Sequence, residues 1–404
     1  MNQLINKKKK LTTQINVYLI IFLPISLLIG TLISNSVIIL INILFLYELK
    51  IKKDNLLKKS SNFYFLIFIY IYLILNSIFI ANDTNSIIRS VGFIRFIILA
   101  YAVNYYFKEF SEKILKFWLI IFLVVSLDIF FEYIFGSNIL GFTSDEPTRI
   151  ASFTRDELKI GGFYFGFIFI CLLYLKNKKD LYFYICSIIF FYLSLIIGER
   201  SNFLKILFMY MFFVLFFIDT SVLKKFLIFL FISIFSIIII SKNEILKSRF
   251  YNQIFFPYIE AKQDIKFDLN SIIKNNEYFT LYYSAIKIFN ENKLFGSGMK
   301  TYRIESMELK KSSNINLYGA SNHPHQFHFE VLSELGLIGY FLLLSNLFYV
   351  IFLNTKKDQN YLRKSSILFL LATLIPLLPS GSFFTSFTAS IFWINYAFLI
   401  KTDI

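Results

Sequence analysis

The chain has 404 residues, 57% of them hydrophobic, and a formal net charge of +15. Its 52 Phe, 26 Tyr and mean hydropathy of +0.63 exclude an ordinary soluble domain, which is roughly 45–50% apolar and lacks long uncharged runs. The positive charge does not imply nucleic acid, because the lysines lie in short segments between apolar runs, where they encode membrane topology.

The N-terminal stretch NKKKKLTTQINVYLIIFLPISLLIG pairs a basic start with a long apolar run and has no clear small-residue cleavage site. It reads as a retained first helix rather than a signal peptide. Apolar runs near the ~20 residues that cross a ~30 Å hydrocarbon core recur along the chain. They place about twelve spans, at 17–33, 34–49, 62–81, 87–107, 114–135, 161–175, 181–198, 202–218, 223–241, 330–353, 365–379 and 383–400. The first two, joined by GTLISNS, could be one kinked unit. Cys171 and Cys186 fall inside apolar runs and read as buried thiols, not as a disulfide framework.

Lysine-rich segments at 7–10, 50–59, 108–113, 176–179, 224–225 and 355–364 all fall on one side of this alternation. The positive-inside rule makes that side cytoplasmic, with both termini inside. The fold class is therefore all-α integral membrane: N-terminal helices over 1–241 with an outer loop at about 136–160, a large outer loop at 242–329, and C-terminal helices over 330–404. No internal repeat supports an inverted-repeat transporter. Within the large loop, YFTLYYSAIKIFNENKLFG predicts an amphipathic helix with Leu281, Ala285, Ile288, Phe289 and Leu294 on one face, ended by Gly296.

Arginine sorts differently from lysine. Arg89, Arg149, Arg155, Arg200, Arg249 and Arg303 lie at or beyond the outer boundary, Arg95 one to two turns into a span, and only Arg363 inside. This opposes the positive-inside bias. The planar guanidinium fork matches phosphate oxygens in pairs, so such a set beside a bilayer suits a lipid-linked phosphate or diphosphate. Local acids are the simpler account for Arg155, next to Asp156 and Glu157, and Glu199 could serve Arg200. Arg95 could snorkel.

All 3 histidines, His323, His325 and His328, stand in NHPHQFHFEVLSELGLIGYF at the start of an apolar run. Pro324 suits a helix's first turn, capped by Asn322 or His323, which would make His325 and His328 neighbours there. The positive helix end keeps an imidazole neutral, as a general base requires. Three roles compete: metal ligand, interfacial packing, and base or acceptor-orienting group. Metal binding is disfavoured by the proline among the ligands and the lack of a nearby cysteine. Packing suits His328; for His325, packing and base chemistry stand near parity.

Four segments carry a resemblance to the bacterial O-antigen ligase and O-antigen polymerase superfamily: RIASFTRDELKIGG (149–162), GERSNF (198–203), AIKIFNENKLFGSGMKTYR (285–303) and HPHQFHFEVLSELGLIG (323–339). The last, with its E-x-G-x-x-G, is the most specific. The resemblance implies a GT-C-like ligase/polymerase architecture in the inner membrane, with the active site facing the periplasm. It also implies metal-independent transfer, without a cofactor, from an undecaprenyl-diphosphate-linked glycan. By this likeness His325 activates or orients the acceptor hydroxyl and Arg200 holds the leaving diphosphate. A second loop arginine is Arg303 or Arg249, and Arg149 and Arg95 are further diphosphate-side residues. His323, Gln326, His328, Glu199 and Glu334 are supporting positions. Gln326 replaces the family's common Asn, and Lys293 its common Pro, without removing a proposed chemical group. The acceptor is lipid A–core for a ligase or another lipid-linked glycan for a polymerase; the reading leans to the ligase. A flippase or exporter of lipid-linked oligosaccharide would also use arginines, but needs access from both sides, and a mere scaffold leaves the outer polar residues unexplained.

Overall fold

The computed structural model describes residues 2–252, 276–312, 318–355 and 360–401. Within them the chain is helical and has no strand. Eight helices of the described residues are long and apolar enough to cross a membrane. Segments 253–275 and 313–317 of the large loop, and 356–359 of the last basic stretch, lie outside the described residues.

Helix α1 (Asn2–Ile29) and α2 (Thr31–Lys52) are two helices, not one kinked unit. Gly30, at φ 145°, reverses the chain in a conformation open mainly to glycine. Thr13 donates to Glu48 at 2.8 Å, which fixes the pair as antiparallel. Helix α3 (Ser61–Asn76) and the short α4 (Thr84–Gly92) lead into α5 (Ile94–Phe135). Phe110, at φ −113° and ψ 16°, breaks α5. The rings of Phe107 and Trp118 meet at 5.1 Å, whereas eleven residues of straight helix would separate them by about 16 Å. The chain therefore folds back at Phe110, which recovers the two spans expected at 87–107 and 114–135.

Four helices follow: α6 (Ile160–Lys178), α7 (Asp180–Ile196), α8 (Arg200–Phe217) and α9 (Val222–Lys242). The large loop supplies α10 (Glu277–Glu291) and α11 (Tyr302–Ser312). Leu281, Ala285 and Ile288 are buried as the pattern predicts, but Leu294 lies beyond the helix and is exposed. The C-terminal part is α12 (Phe327–Thr355), α13 (Tyr361–Thr373) and α14 (Ser386–Ala397).

Two expectations are corrected here. The runs 365–379 and 383–400 are not two full spans; α13 and α14 have 13 and 12 residues, and residues 374–385 between them are irregular. Pro376, Pro379 and Gly381 account for that: proline cannot continue a helix and glycine favours leaving it. The run 330–353 is not one unbroken helix either, because Gly336 (φ 65°, ψ −169°) interrupts α12.

The break in α12 is bridged by hydrogen bonds from other segments. Ser297 N donates to Ser333 O and Gly298 N to Glu334 O, each at 2.9 Å, and the Tyr72 hydroxyl donates to Leu335 O at 2.6 Å. Leu337 N and Ile338 N donate to Lys293 O and Leu294 O. The GSG turn of the large loop and the ELG of the membrane helix are two halves of one joint, a means of tolerating irregular backbone in an apolar setting. Asn76 locks it further, accepting from Met299 N at 3.0 Å and donating to Phe295 O at 2.7 Å.

Basic segments gather at one end of the bundle, where Lys52 meets Tyr105, Lys178 meets Glu112, and Lys364 lies over Phe217. The histidines are at the other end: α2 runs from Thr31, beside their cavity, to Lys52, a length of about 30 Å.

Candidate functional site

A cavity of about 650 Å³ opens where α6, α8 and the 374–385 segment meet the histidine turn. His323, His325, Arg149, Glu199, Lys159, Lys205, Arg89 and Tyr278 are among its lining residues.

The histidine turn departs from expectation. Helix α12 begins at Phe327, not at Pro324, and its cap is Gln326, whose side chain accepts from Phe329 N at 2.9 Å. His325 precedes the helix with φ 55°, and its carbonyl accepts from Ser380 N at 2.7 Å. That hydrogen bond ties the turn to the irregular segment before α14. The left-handed backbone, which histidine tolerates better than most side chains, swings the imidazole away from the helix face. It stacks beside His323, with ring centroids 3.9 Å apart, and meets the edge of Tyr278 at 6.0 Å. Its Nε2 lies 3.4 Å from Ser321 Oγ.

His328 is not a neighbour of His325 on the first turn. Its ring nitrogens go to Tyr340 OH (2.9 Å) and Leu374 O (2.8 Å), so it clamps the two sides of the helix break to the end of α13. The carbonyl can only accept, so His328 carries its proton on Nε2. The three rings do not converge as a ligand set. This geometry supports packing for His328 and leaves His325 facing the cavity.

Burial, with the Lys300 ammonium second, pushes His323 down to about 4. Burial, with His323 second, pushes His325 down to about 4 as well, while Glu277 and Glu330 act upward. Both imidazoles are neutral at pH 7. His323 Nε2 is buried without a hydrogen-bond partner.

Behind the histidines lies an ionic network that sequence reasoning had only in part. Glu330 is fully buried, pairs with Lys300 Nζ at 3.4 Å, and accepts from Phe383 N at 2.8 Å and from Ser382 Oγ. Glu334, one turn on, accepts from Lys300 N at 2.7 Å. Glu334 was expected to support the site; Glu330 and Lys300 were missed. The spacing of the two acids in EVLSE, four apart inside an apolar run, was the available signal.

On the other flank, three arginines cluster around two carboxylates. Arg149 pairs with Glu199 at 3.1 Å and Glu146 at 3.7 Å, and Arg249 reaches Glu146 at 3.6 Å and Gly198 O at 3.1 Å. Arg200 donates to Arg249 O at 3.4 Å. Burial, then Arg200 and Arg149, push the Arg249 pKa down. Gly198 (φ 76°) allows this approach: a Cβ there would fall 2.4 Å from Thr148 O. Glu199 also accepts from Gly161 N at 3.2 Å and from Asn202, which anchors α6 to α8.

Of this cluster only Arg149 and Glu199 line the cavity; Arg200 and Arg249 stand behind them. Arg95 donates to Gly92 O at 2.6 Å and Ser386 Oγ at 3.3 Å, and does not line it. Arg303 is exposed on α11. Arg155 lies over the Phe142 ring at 3.7 Å, facing a different groove. The cations sequence reasoning missed are Lys159 and Lys205. Lys205, a charge inside the run expected at 202–218, was the legible one.

Residues 182–344 match the family model described as O-antigen ligase. The match bears out the resemblance to the O-antigen ligase and polymerase superfamily and contains three of the four segments that carry it, leaving out 149–162. Among curated proteins none matches the chain.

Proposed function

We propose, from the premise that this chain carries an O-antigen ligase domain, that it transfers a glycan from a polyprenyl diphosphate to a sugar hydroxyl inside the 650 Å³ cavity. The observation that carries this reading is one cavity whose lining brings a neutral His325 together with Arg149 and Lys159. A glycosyl transfer needs those two functions at once: an acceptor for the hydroxyl proton and cations for the departing diphosphate.

The bond between the acceptor oxygen and the anomeric carbon forms as the bond from that carbon to the diphosphate oxygen breaks. The electron pair leaves with the diphosphate, and the hydroxyl proton passes to His325. With a pKa of about 4, His325 accepts a hydrogen bond from the hydroxyl in the ground state and takes the proton only as the new bond forms. Glu277 and Glu330 favour the imidazolium that results. Arg149 meets the diphosphate, and Arg200 and Arg249 add positive field from the second rank. The side of the membrane that suits this chemistry is the outer one, opposite the lysine-rich loops.

In this reading the donor is undecaprenyl-diphosphate-linked glycan and the acceptor lipid A–core, as in a ligase. Purified protein supplied with lipid-linked glycan tests the mechanism: near-normal transfer by both His325→Ala and Arg200→Ala would overturn it. The lipopolysaccharide profile of a deletion strain tests the acceptor. Loss of all long chains from the core, with polymer still lipid-linked, means ligase; a single repeat unit on the core means polymerase.

A further inference from the structure

Lys205 is 3% exposed, yet it lines the cavity. It sits five residues into α8, about 7.5 Å below the helix start, on the face it shares with Ser201. Phe165, Phe369, Ile391 and Phe392 line the cavity with it, alongside Ser201, Asn202, Thr373 and Thr388, and its ammonium lies over the Phe165 ring at 5.6 Å. Among the described residues no carboxylate lies within ion-pair distance of Lys205. Glu199 acts on it only through the field and already holds Arg149, Gly161 N and Asn202. A buried ammonium without a carboxylate beside it is costly unless an anion joins it.

We propose that Lys205 is a binding residue for the diphosphate of a lipid-linked substrate, and that the aromatic floor beside it receives the first isoprene unit. This rests on the transferase reading above and adds a cation that reading does not use. Ammonium and guanidinium divide the work: Arg149 offers a fixed fork near the mouth, while Lys205 offers a compact charge that follows the phosphate as it leaves.

Binding of farnesyl diphosphate, farnesyl monophosphate and farnesol to the purified full chain tests it. Lys205→Met, close in shape, is expected to weaken farnesyl diphosphate by at least about tenfold, as loss of a charge-assisted contact should. Lys205→Arg should stay within about threefold of the parent, because the charge remains. Unchanged farnesol binding in both variants reports an intact fold. A parent protein that prefers farnesyl diphosphate to farnesol, with Lys205→Met keeping the preference, overturns the proposal alone. A parent with no such preference overturns the transferase reading with it.

Discussion

Gly296 and Gly336 lie back to back. A Cβ on Gly296 would fall 2.4 Å from Glu334 C and 2.6 Å from Gly336 N; one on Gly336 would fall 2.4 Å from Leu294 C and 2.5 Å from Gly296 N. Both residues also have positive φ, 71° and 65°. Alanine at either should therefore cost more than about 3 kcal/mol, combining backbone strain with a clash against main chain. Gly141 (φ 82°), with nothing within 4 Å of its Cβ position, is the control and should lose only ~1 kcal/mol from strain. Thermal unfolding of the three variants checks the ranking; equal shifts would remove the interlocked joint as an explanation.

Glu330 is fully buried, pairs with the half-buried Lys300 and shares its carboxylate with Ser382 and Phe383 N. Glu330→Leu should destabilise by ~3–5 kcal/mol, because it removes the acceptor shared by Lys300, Ser382 Oγ and Phe383 N and leaves the ammonium only Ser382 Oγ at 2.7 Å. Adding Lys300→Met should recover part of that loss. A double variant no more stable than Glu330→Leu would show that the pair is not what the site leans on.

The histidines should separate activity from stability. His325→Ala is expected to lower transfer at least ~10²-fold while folding normally. His328→Phe should keep most transfer but cost ~1–3 kcal/mol, as Tyr340 and the Leu374 carbonyl lose a buried partner. Transfer rates and melting curves of the two proteins decide it; the reverse pattern would exchange their roles.

Stability should also depend on pH. His323 and His325 titrate near 4 in the folded protein against 6.5 as the ordinary value. Between those values the unfolded chain binds more protons, so stability rises with pH through the window and falls as pH drops from 6.5 towards 4. Each group contributes at most ~3 kcal/mol over that span. Denaturant unfolding between pH 4 and 7 should flatten when both become phenylalanine; an unchanged slope would place the titrating groups elsewhere.

Position relative to the cavity should rank the arginines. Arg149→Ala removes a cation that lines it and should cut transfer ~10–10³-fold. Arg303→Ala, on an exposed helix, should stay within about twofold, since an exposed charge contributes little. Equal losses would mean the cavity does not mark the reacting centre.

Sequence made the spans legible where charge punctuates long apolar runs, and the two runs around Phe110 are read correctly because Lys108, Glu109, Glu112 and Lys113 separate them. It misread the last two runs because hydropathy averages over Pro376, Pro379 and Gly381, which unwind them. His325 was found from composition, but its place outside the helix was not, because a proline tolerated in a first turn is equally tolerated before one. The partners of Gly336 were invisible. Two glycine motifs about forty residues apart become one joint only through backbone hydrogen bonds, which no side-chain pattern encodes.

The unwound stretch between α13 and α14 has a consequence for how the protein is made. The cavity-lining residues between Pro379 and Phe392 are the last of its wall to leave the ribosome. Until they arrive, His325 lacks the amide that holds its carbonyl, and Glu330 lacks the Phe383 amide and the Ser382 hydroxyl. A nascent chain stopped before Pro379 would carry the histidine turn and the arginines into the bilayer without the wall that orients them. In the transferase reading such a chain would stay inactive until α14 is in place.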